Sequence, residues 1–237
     1  MRRFILILNI IVCSVFFAAA QETTIEQNRP IKEFLSSFKA IHVDAPIKLK
    51  LIKIGENEAP YIIYDTKGVY TSKFTFEVDR KNSTLKISER SDSKRVSITE
   101  VEVYFTNLTD ISISKADVTV DGVLESQLLD VYVSNDALFV SEVNVMDLMI
   151  FAAGKSRIIL SGTARYQTAD ISTAEYDAGS LGTTSTIAEA SHNAVIKLNA
   201  SERLEAKTST GGKVYYVSQP VILRSEVTLF GGEIVKL

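Results

Sequence analysis

Three stretches decide how this chain reads: Ser114-Lys-Ala-Asp-Val118-Thr-Val120, Ser134-Asn-Asp-Ala-Leu138-Phe-Val140 and Gly154-Lys-Ser-Arg-Ile158-Ile-Leu160. Each begins 20 residues after the one before it. Each opens on small or polar residues and passes into an alternating apolar run. A fixed period of this length marks a solenoid, because one such repeat cannot bury its own apolar face and must stack on its neighbours. Set out at this spacing, Ile111 and Ile113 lie above Val131 and Val133. Val118 and Val120 lie above Leu138 and Val140, and then above Ile158 and Leu160. These columns are expected to point inward. Gly122, Gly162 and Gly182 recur as turn residues, where a residue without Cβ is useful.

The regular repeats span 107–220. Their least apolar coil runs from Thr168 to about Ala190, with Ile171, Ala174, Ala178, Leu181 and Ile187 as its expected filling. A last coil follows over 221–237. Upstream, over 38–106, short alternating runs are joined by polar turns. Ile41, Val43, Ala45, Ile47, Leu49 and Leu51 alternate with polar residues and predict a half-buried strand bent at Pro46. This section reads either as less regular first coils or as a cap. No proline occurs between Pro60 and Pro220, so ladder hydrogen bonds need no interruption there. No segment beyond residue 38 carries the pattern of a long amphipathic helix. The sequence thus predicts an all-β chain, with one solenoid domain over 38–237.

The start of the chain has a different character. Residues 1–20 combine Arg2 and Arg3, an apolar run and Ala18-Ala19-Ala20, which is the form of a signal peptide cleaved between Ala20 and Gln21. On this reading no transmembrane segment remains after cleavage. Cys13 is the only cysteine and leaves with the leader, so the exported chain has no disulfide or thiol chemistry. Loss of Arg2 and Arg3 takes the net charge from −3 to −5. That balance argues against nucleic acid as a partner. Residues 21–37 form a polar lead-in, within which Ile31-Lys-Glu-Phe-Leu35 is read as a helical turn.

Phe38-Lys-Ala-Ile-His-Val43, the strand pairs after it, the small-residue units every 20 residues, and Tyr216-Val-Ser-Gln-Pro220 followed by Gly231-Gly-Glu-Ile234 resemble the auto-transporter adhesin head GIN domain family. The resemblance covers about residues 36–235. The chain departs from the family pattern at Gln219, where glycine is usual, and in carrying Ala or Asn-Asp where the family often has Ser-Gly-Ala-Ser. The resemblance implies a single-stranded right-handed parallel β-helix (a β-solenoid) and an exported bacterial protein. It supplies no catalytic or binding residues.

Chemistry-bearing residues are sparse. His42 alternates with Ile41 and Val43 and should face outward, and His192 falls at a coil corner. No nucleophile elbow accompanies either. Asp117, Asp121, Asp130, Asp136 and Asp147 form no calcium loop and read as a solvated face. Lys155 and Arg157, near the column of Lys115, read as surface charge. No catalytic residue, metal ligand or cofactor is expected. Tyr132, Tyr215 and Tyr216 are the tentative contact residues: one of the adjacent pair must point outward, and Phe139 and Tyr132 are expected to do so as well. The favoured function is a non-enzymatic exported binding or adhesion module with a protein or glycan ligand. An envelope scaffold and a carbohydrate-active enzyme are the alternatives, to be told apart by whether the outer surface is a flat aromatic or polar wall, featureless charge, or a groove with clustered carboxylates. An exposed terminal coil also makes a dimer plausible.

Overall fold

The computed structural model describes residues 30–67, 73–90, 97–228 and 230–237. The leader with its Ala20–Gln21 cleavage site, the turn at Gly68 and the polar break over 91–94 lie outside these residues. Among the described residues every regular element is a strand, numbered β1 to β17 in chain order. The strands stack as parallel coils of about 19 residues into a β-solenoid of about seven turns.

The central coils are built from four long strands that bend around the body: β9 (Asp117–Ser134), β10 (Leu138–Ala152), β11 (Arg157–Ser172) and β12 (Glu175–Ser191). Each pairs in parallel with the next along almost its whole length. Parallel pairing keeps equivalent side chains one above another at about 4.8 Å. One inward column therefore runs Val101, Leu49, Val118, Phe139, Ile158, Tyr176, Ile196, Val214, Ile234. A second runs Leu85, Ile41, Ile111, Val131, Ile150, Ala169, Ala188, Ala206.

The pairing of Ile111 and Ile113 with Val131 and Val133 is as the sequence predicts. The next columns are not. Val118 pairs with Phe139, and Leu138 pairs with Asp117 and Arg157. Phe139, expected outside, is 0 % exposed. The physical reason lies at one corner. At its corner Lys115 alone takes a left-handed conformation (φ 65°), whereas at the next corner Asn135 and Asp136 both do (φ 56° and 61°). The extra corner residue shifts Leu138–Val140 by one position, and in a strand that reverses the face of each side chain; a bulge between Val140 and Glu142 then resets the register for the rest of β10. The same ladder of left-handed corners continues through Gly154 and Lys155, Thr173, His192 and Asn193, and Thr210 and Gly211. Single and double corners make the true offset vary around its mean. The corners are also hydrogen-bonded from coil to coil: Asp136 N donates to Gly154 O at 2.8 Å, Lys155 N to Thr173 O at 2.8 Å and Asn193 N to Thr210 O at 3.0 Å.

The coil of low apolar content is filled differently from its prediction. Ile171, Ala174, Ala178 and Leu181 are buried as expected, but Ile187 is exposed and Thr186 takes the inward place. Tyr176, wholly buried, accepts a hydrogen bond from Gln167 Nε2. Thr186 Oγ1 donates to Gln167 Oε1 at 3.2 Å and lies 2.7 Å from Thr183 Oγ1. This buried polar string satisfies its own donors and acceptors, as a buried network must. The alanines at 169, 174, 178 and 188 leave room in the core for the phenol.

Residues 30–106 adopt an order that the chain does not follow. β2 (Ala40–Asp44) and β3 (Lys48–Lys53) flank the bend at Pro46. They do not form the end of the stack: β2 lies between β6 (Thr84–Glu89) and β8 (Asp110–Ser114), and β3 between β7 (Glu100–Phe105) and β9. The terminal parallel strands are thus β6 and β7, and the earlier segment is inserted beneath them. Antiparallel strands close its outer edge: β5 (Phe74–Asp79) on β6, and β4 (Tyr61–Asp65) on β7. β1 (Ile31–Phe34) pairs antiparallel with β4, so the helical turn expected near residue 31 is a strand. Tyr64 Oη donates to Glu33 Oε1 at 2.8 Å across that pair; burial, then Glu33, pushes the phenol up to about 12. The other end of the stack is β13 (Val195–Leu198), β14 (Ala200–Thr208) and β15 (Lys213–Tyr216), followed by β16 (Ile222–Val227) and β17 (Glu233–Lys236).

The recurring glycines are not equivalent. Gly162 has φ +100°, and a Cβ there would lie 2.2 Å from Val143 O; Gly182 has no such conformation and its nearest neighbour would be 3.9 Å away. Gly162→Ala is therefore expected to lower stability by about 2 kcal/mol or more, whereas Gly182→Ala costs under about 1 kcal/mol. Urea unfolding midpoints of the two variants check this contrast.

Candidate binding surface

Alternation in the long strands sends every second side chain outward, and stacking arranges these in rows of their own. On the sheet formed by the second halves of β9 to β12, one outward row runs His42, Ser112, Tyr132, Phe151, Asp170, Glu189. A second runs Asp110, Asp130, Met149, Thr168, Ile187, Glu205. A third runs Leu128, Asp147, Tyr166, Ser185, Arg203. The middle of this wall is apolar: Leu128 is 60 % exposed, Ile187 51 %, Tyr166 45 % and Tyr132 39 %. Six large apolar side chains thus share one wall in three adjoining rows, with Asp130, Asp147 and Thr168 between them; such a concentration on one face differs from the singly scattered exposed residues that any protein has.

Tyr132 and Phe151 stack with their rings 5.0 Å apart and 5° from parallel. The next rung beyond Tyr132 is Ser112, too short to cover the other face of the phenol. Ser112 instead lies 3.1 Å, Oγ to Nδ1, from His42. Asp130 and Asp147 stand among the apolar side chains of the wall, and Asp110 and Asp170 lie at their margin. Partial burial, then Asp130 and Asp110, raises the Tyr132 phenol above its ordinary value. Burial, then the charge of Asp130, raises the carboxyl of Asp110, and His42 offsets part of this.

An open groove of about 1080 Å³ adjoins the wall and shares Leu128 with it. Its floor crosses several coils and presents Asn144, Thr163, Arg165, Thr183 and Asn199. Thr163 Oγ1 donates to Asn144 Oδ1 at 3.0 Å. Amides, hydroxyls and one guanidinium in a long shallow trough suit a polar, extended ligand more than a small enclosed one.

The other sequence candidates lie apart from this surface. Tyr215 is the outward member of its pair, and its hydroxyl donates to Glu233 Oε1 at 2.5 Å. Tyr216 is 8 % exposed and belongs to the core, so it offers no contact. His192 stands at a corner with Nδ1 3.2 Å from Ser172 Oγ. Arg157 pairs with Glu175 at 3.6 Å, and Asp121 with Lys50 at 2.7 Å. Among the described residues no three His, Cys, Asp or Glu side chains converge to hold a metal. Sequence reading singled out Tyr132 but missed Phe151, Met149, Tyr166, Leu128 and Ile187. These become one surface only when the true register stacks them.

A profile of the putative auto-transporter adhesin, head GIN domain family matches residues 37–220. The chain belongs to this family. Solved structures share the fold of this chain at low sequence identity. A putative adhesin from Bacteroides fragilis NCTC 9343 aligns with a TM-score of 0.78 at 17 % identity, over 87 % of this chain and 95 % of that one. A putative adhesin from Parabacteroides merdae ATCC 43184 aligns at 0.67 and 15 %, over 88 % and 95 %. A putative lipid binding protein from Parabacteroides distasonis ATCC 8503 aligns at 0.64 and 14 %, over 89 % and 98 %. At these identities the likeness shows the fold. No curated protein matches the chain. Among the described residues no helix is long and apolar enough to cross a membrane.

The raised carboxyl of Asp110 predicts a pH effect with a definite sign. A folded-state value above the ordinary 3.8 means that ionisation costs more in the native protein than in the unfolded chain. The cost is absent at lower pH, where both states are protonated, and is fully present above the raised value. Asp110→Asn is therefore expected to raise Tm at pH 7 and to leave it unchanged near pH 3, as read by calorimetry at both pH values.

Proposed function

We propose that this head GIN domain is a non-enzymatic, exported adhesion module of the cell envelope, and that it holds its partner against the outward wall of β9 to β12. The observation that carries this reading is the cluster of large apolar side chains on one wall, with the stacked Tyr132 and Phe151 beside Met149, and Tyr166, Leu128 and Ile187 exposed around them among the carboxylates Asp130 and Asp147. Large exposed apolar patches rimmed by polar residues mark interaction sites. A regular solenoid presents such a patch on a rigid backbone, so little ordering cost falls on the protein when it binds. The patch is broad and the adjoining trough is shallow, which fits a large or extended partner such as a glycan or a matrix protein. Membership of an adhesin family supports the adhesion class, and the signal-peptide form of residues 1–20 supports export.

The test is binding of the purified chain to arrays of glycans and host-matrix proteins, with glycan turnover followed in the same samples. Saturable binding without turnover is the expected result, and turnover would overturn the non-enzymatic reading. The double variant Tyr132→Ala/Tyr166→Ala is expected to weaken binding at least about tenfold, as loss of aromatic anchors does. Tyr215→Ala, on a different face, is expected to leave binding within about twofold of the starting chain, since residues outside the contact contribute little. Equal loss in both variants would remove the wall from the account.

A further inference from the structure

The two ends of the solenoid are finished differently. At one end antiparallel strands cover the outer edges of β6 and β7. At the other, among the described residues, β16 pairs only with β14, and β17 only with β15. The outer edges of β16 and β17 are thus bare. The side chains that continue the inward columns are left uncovered with them: Leu223, above Leu204, and Val227, above Thr208, are both exposed. A bare strand edge over an open apolar layer is a template for another strand.

We propose that a second copy of this chain covers this end, with β16 pairing antiparallel to its counterpart about a two-fold axis at Ser225. The argument for a second copy is that the strand is complementary to itself. In an antiparallel pair, directly opposite residues share a face. The inward residues Leu223, Ser225 and Val227 must therefore meet inward residues, and the outward Arg224 and Glu226 must meet outward ones. This leaves registers centred on single residues. Centring on Arg224 or Glu226 sets like charges opposite each other, and centring on Leu223 sets Arg224 opposite Ile222. Only centring on Ser225 opposes Arg224 to Glu226, twice over, while Leu223 meets Val227 and continues the core. Opposite charges across strands favour a register and like charges oppose it. The Arg224 side chain is 67 % exposed and reaches Glu205 at 3.2 Å, so it lies on the open outer surface where it can also meet Glu226 of another copy. The arrangement repeats the device that closes the other end, where antiparallel strands lie on the parallel stack.

Sedimentation equilibrium of the purified chain tests the proposal, and a concentration-dependent dimer is expected. Arg224→Glu and Glu226→Arg alone are each expected to weaken self-association at least about tenfold, and the double swap to restore it, because only the swap recovers opposite charges across the axis. Both side-chain changes are on the surface, and unchanged circular dichroism confirms folding. Ser225→Cys places two thiols at the axis, where opposite Cα atoms lie within disulfide range at about 4.5–5.5 Å. It is expected to give a disulfide-linked dimer on oxidation, and Leu223→Cys alone is not. A chain that stays monomeric over the whole concentration range overturns the proposal and assigns the edge to a strand from another protein or segment. A dimer indifferent to the charge variants, or one that cross-links equally through position 223, overturns the register.

Discussion

The rest of the structure depends on the coil-to-coil hydrogen-bond ladder, which runs through strands and corners alike and is broken in the long strands by bulges near Ser141, Leu160 and Thr184. In most β proteins a loop leaves the sheet and its backbone is satisfied by solvent. Here the corner amides of Asp136, Lys155 and Asn193 donate to the carbonyls of the next coil. Corner and strand are thus parts of one sheet bent around a core, and the register of each strand is set by the length of the corner before it and then by the bulge within it. The left-handed residues at those corners cost energy wherever they are not glycine. Asparagine at 135 and 193 and glycine at 154 and 211 keep that cost low. Thr173, β-branched and alone at its corner, bears more of it.

The same ladder explains how a sequence of modest apolar content can build so long a core. Stacking places like upon like, so each column needs only a compatible neighbour above and below. The polar string of Gln167, Thr183 and Thr186 with Tyr176 fits because its members meet each other along the stack. Outward positions carry no such obligation. They are free to vary from rung to rung, and this is where the apolar wall and the polar trough arise. A surface assembled from single residues of successive coils can be large without any loop extending from the body.

Much of the fold can be read from the residues. The alternation from Ile41 to Leu51 marks the buried face of β2 and β3, and the bend at Pro46 falls between them. The repeat of Ile111 and Ile113 on Val131 and Val133 marks the stacking. The double corner at Asn135 and Asp136 defeated the next column, because nothing in composition distinguishes two left-handed residues from one. The wall was hidden by a different irregularity, the bulge between Val140 and Glu142, after which Tyr132 pairs with Phe151 at an offset of 19 and not 20. The inserted position of β2 and β3 was hidden for another reason: it depends on two later strands, β6 and β7, pairing outside earlier ones, and local patterns carry no information about that order. Tyr216 was misjudged between two equal neighbours, because adjacent tyrosines give no clue to which one faces the core.

If stacking order governs stability, local opening should follow position in the stack and not position in the chain. Residue-resolved amide hydrogen exchange of the Arg224→Glu chain, in which the open end is kept free, measures this most directly. The account predicts slow exchange in β2 and β3, comparable with β9 to β12, since both of their edges are paired, and fast exchange in β16 and β17. Early exchange of β2 and β3, as expected for an end coil, would contradict it.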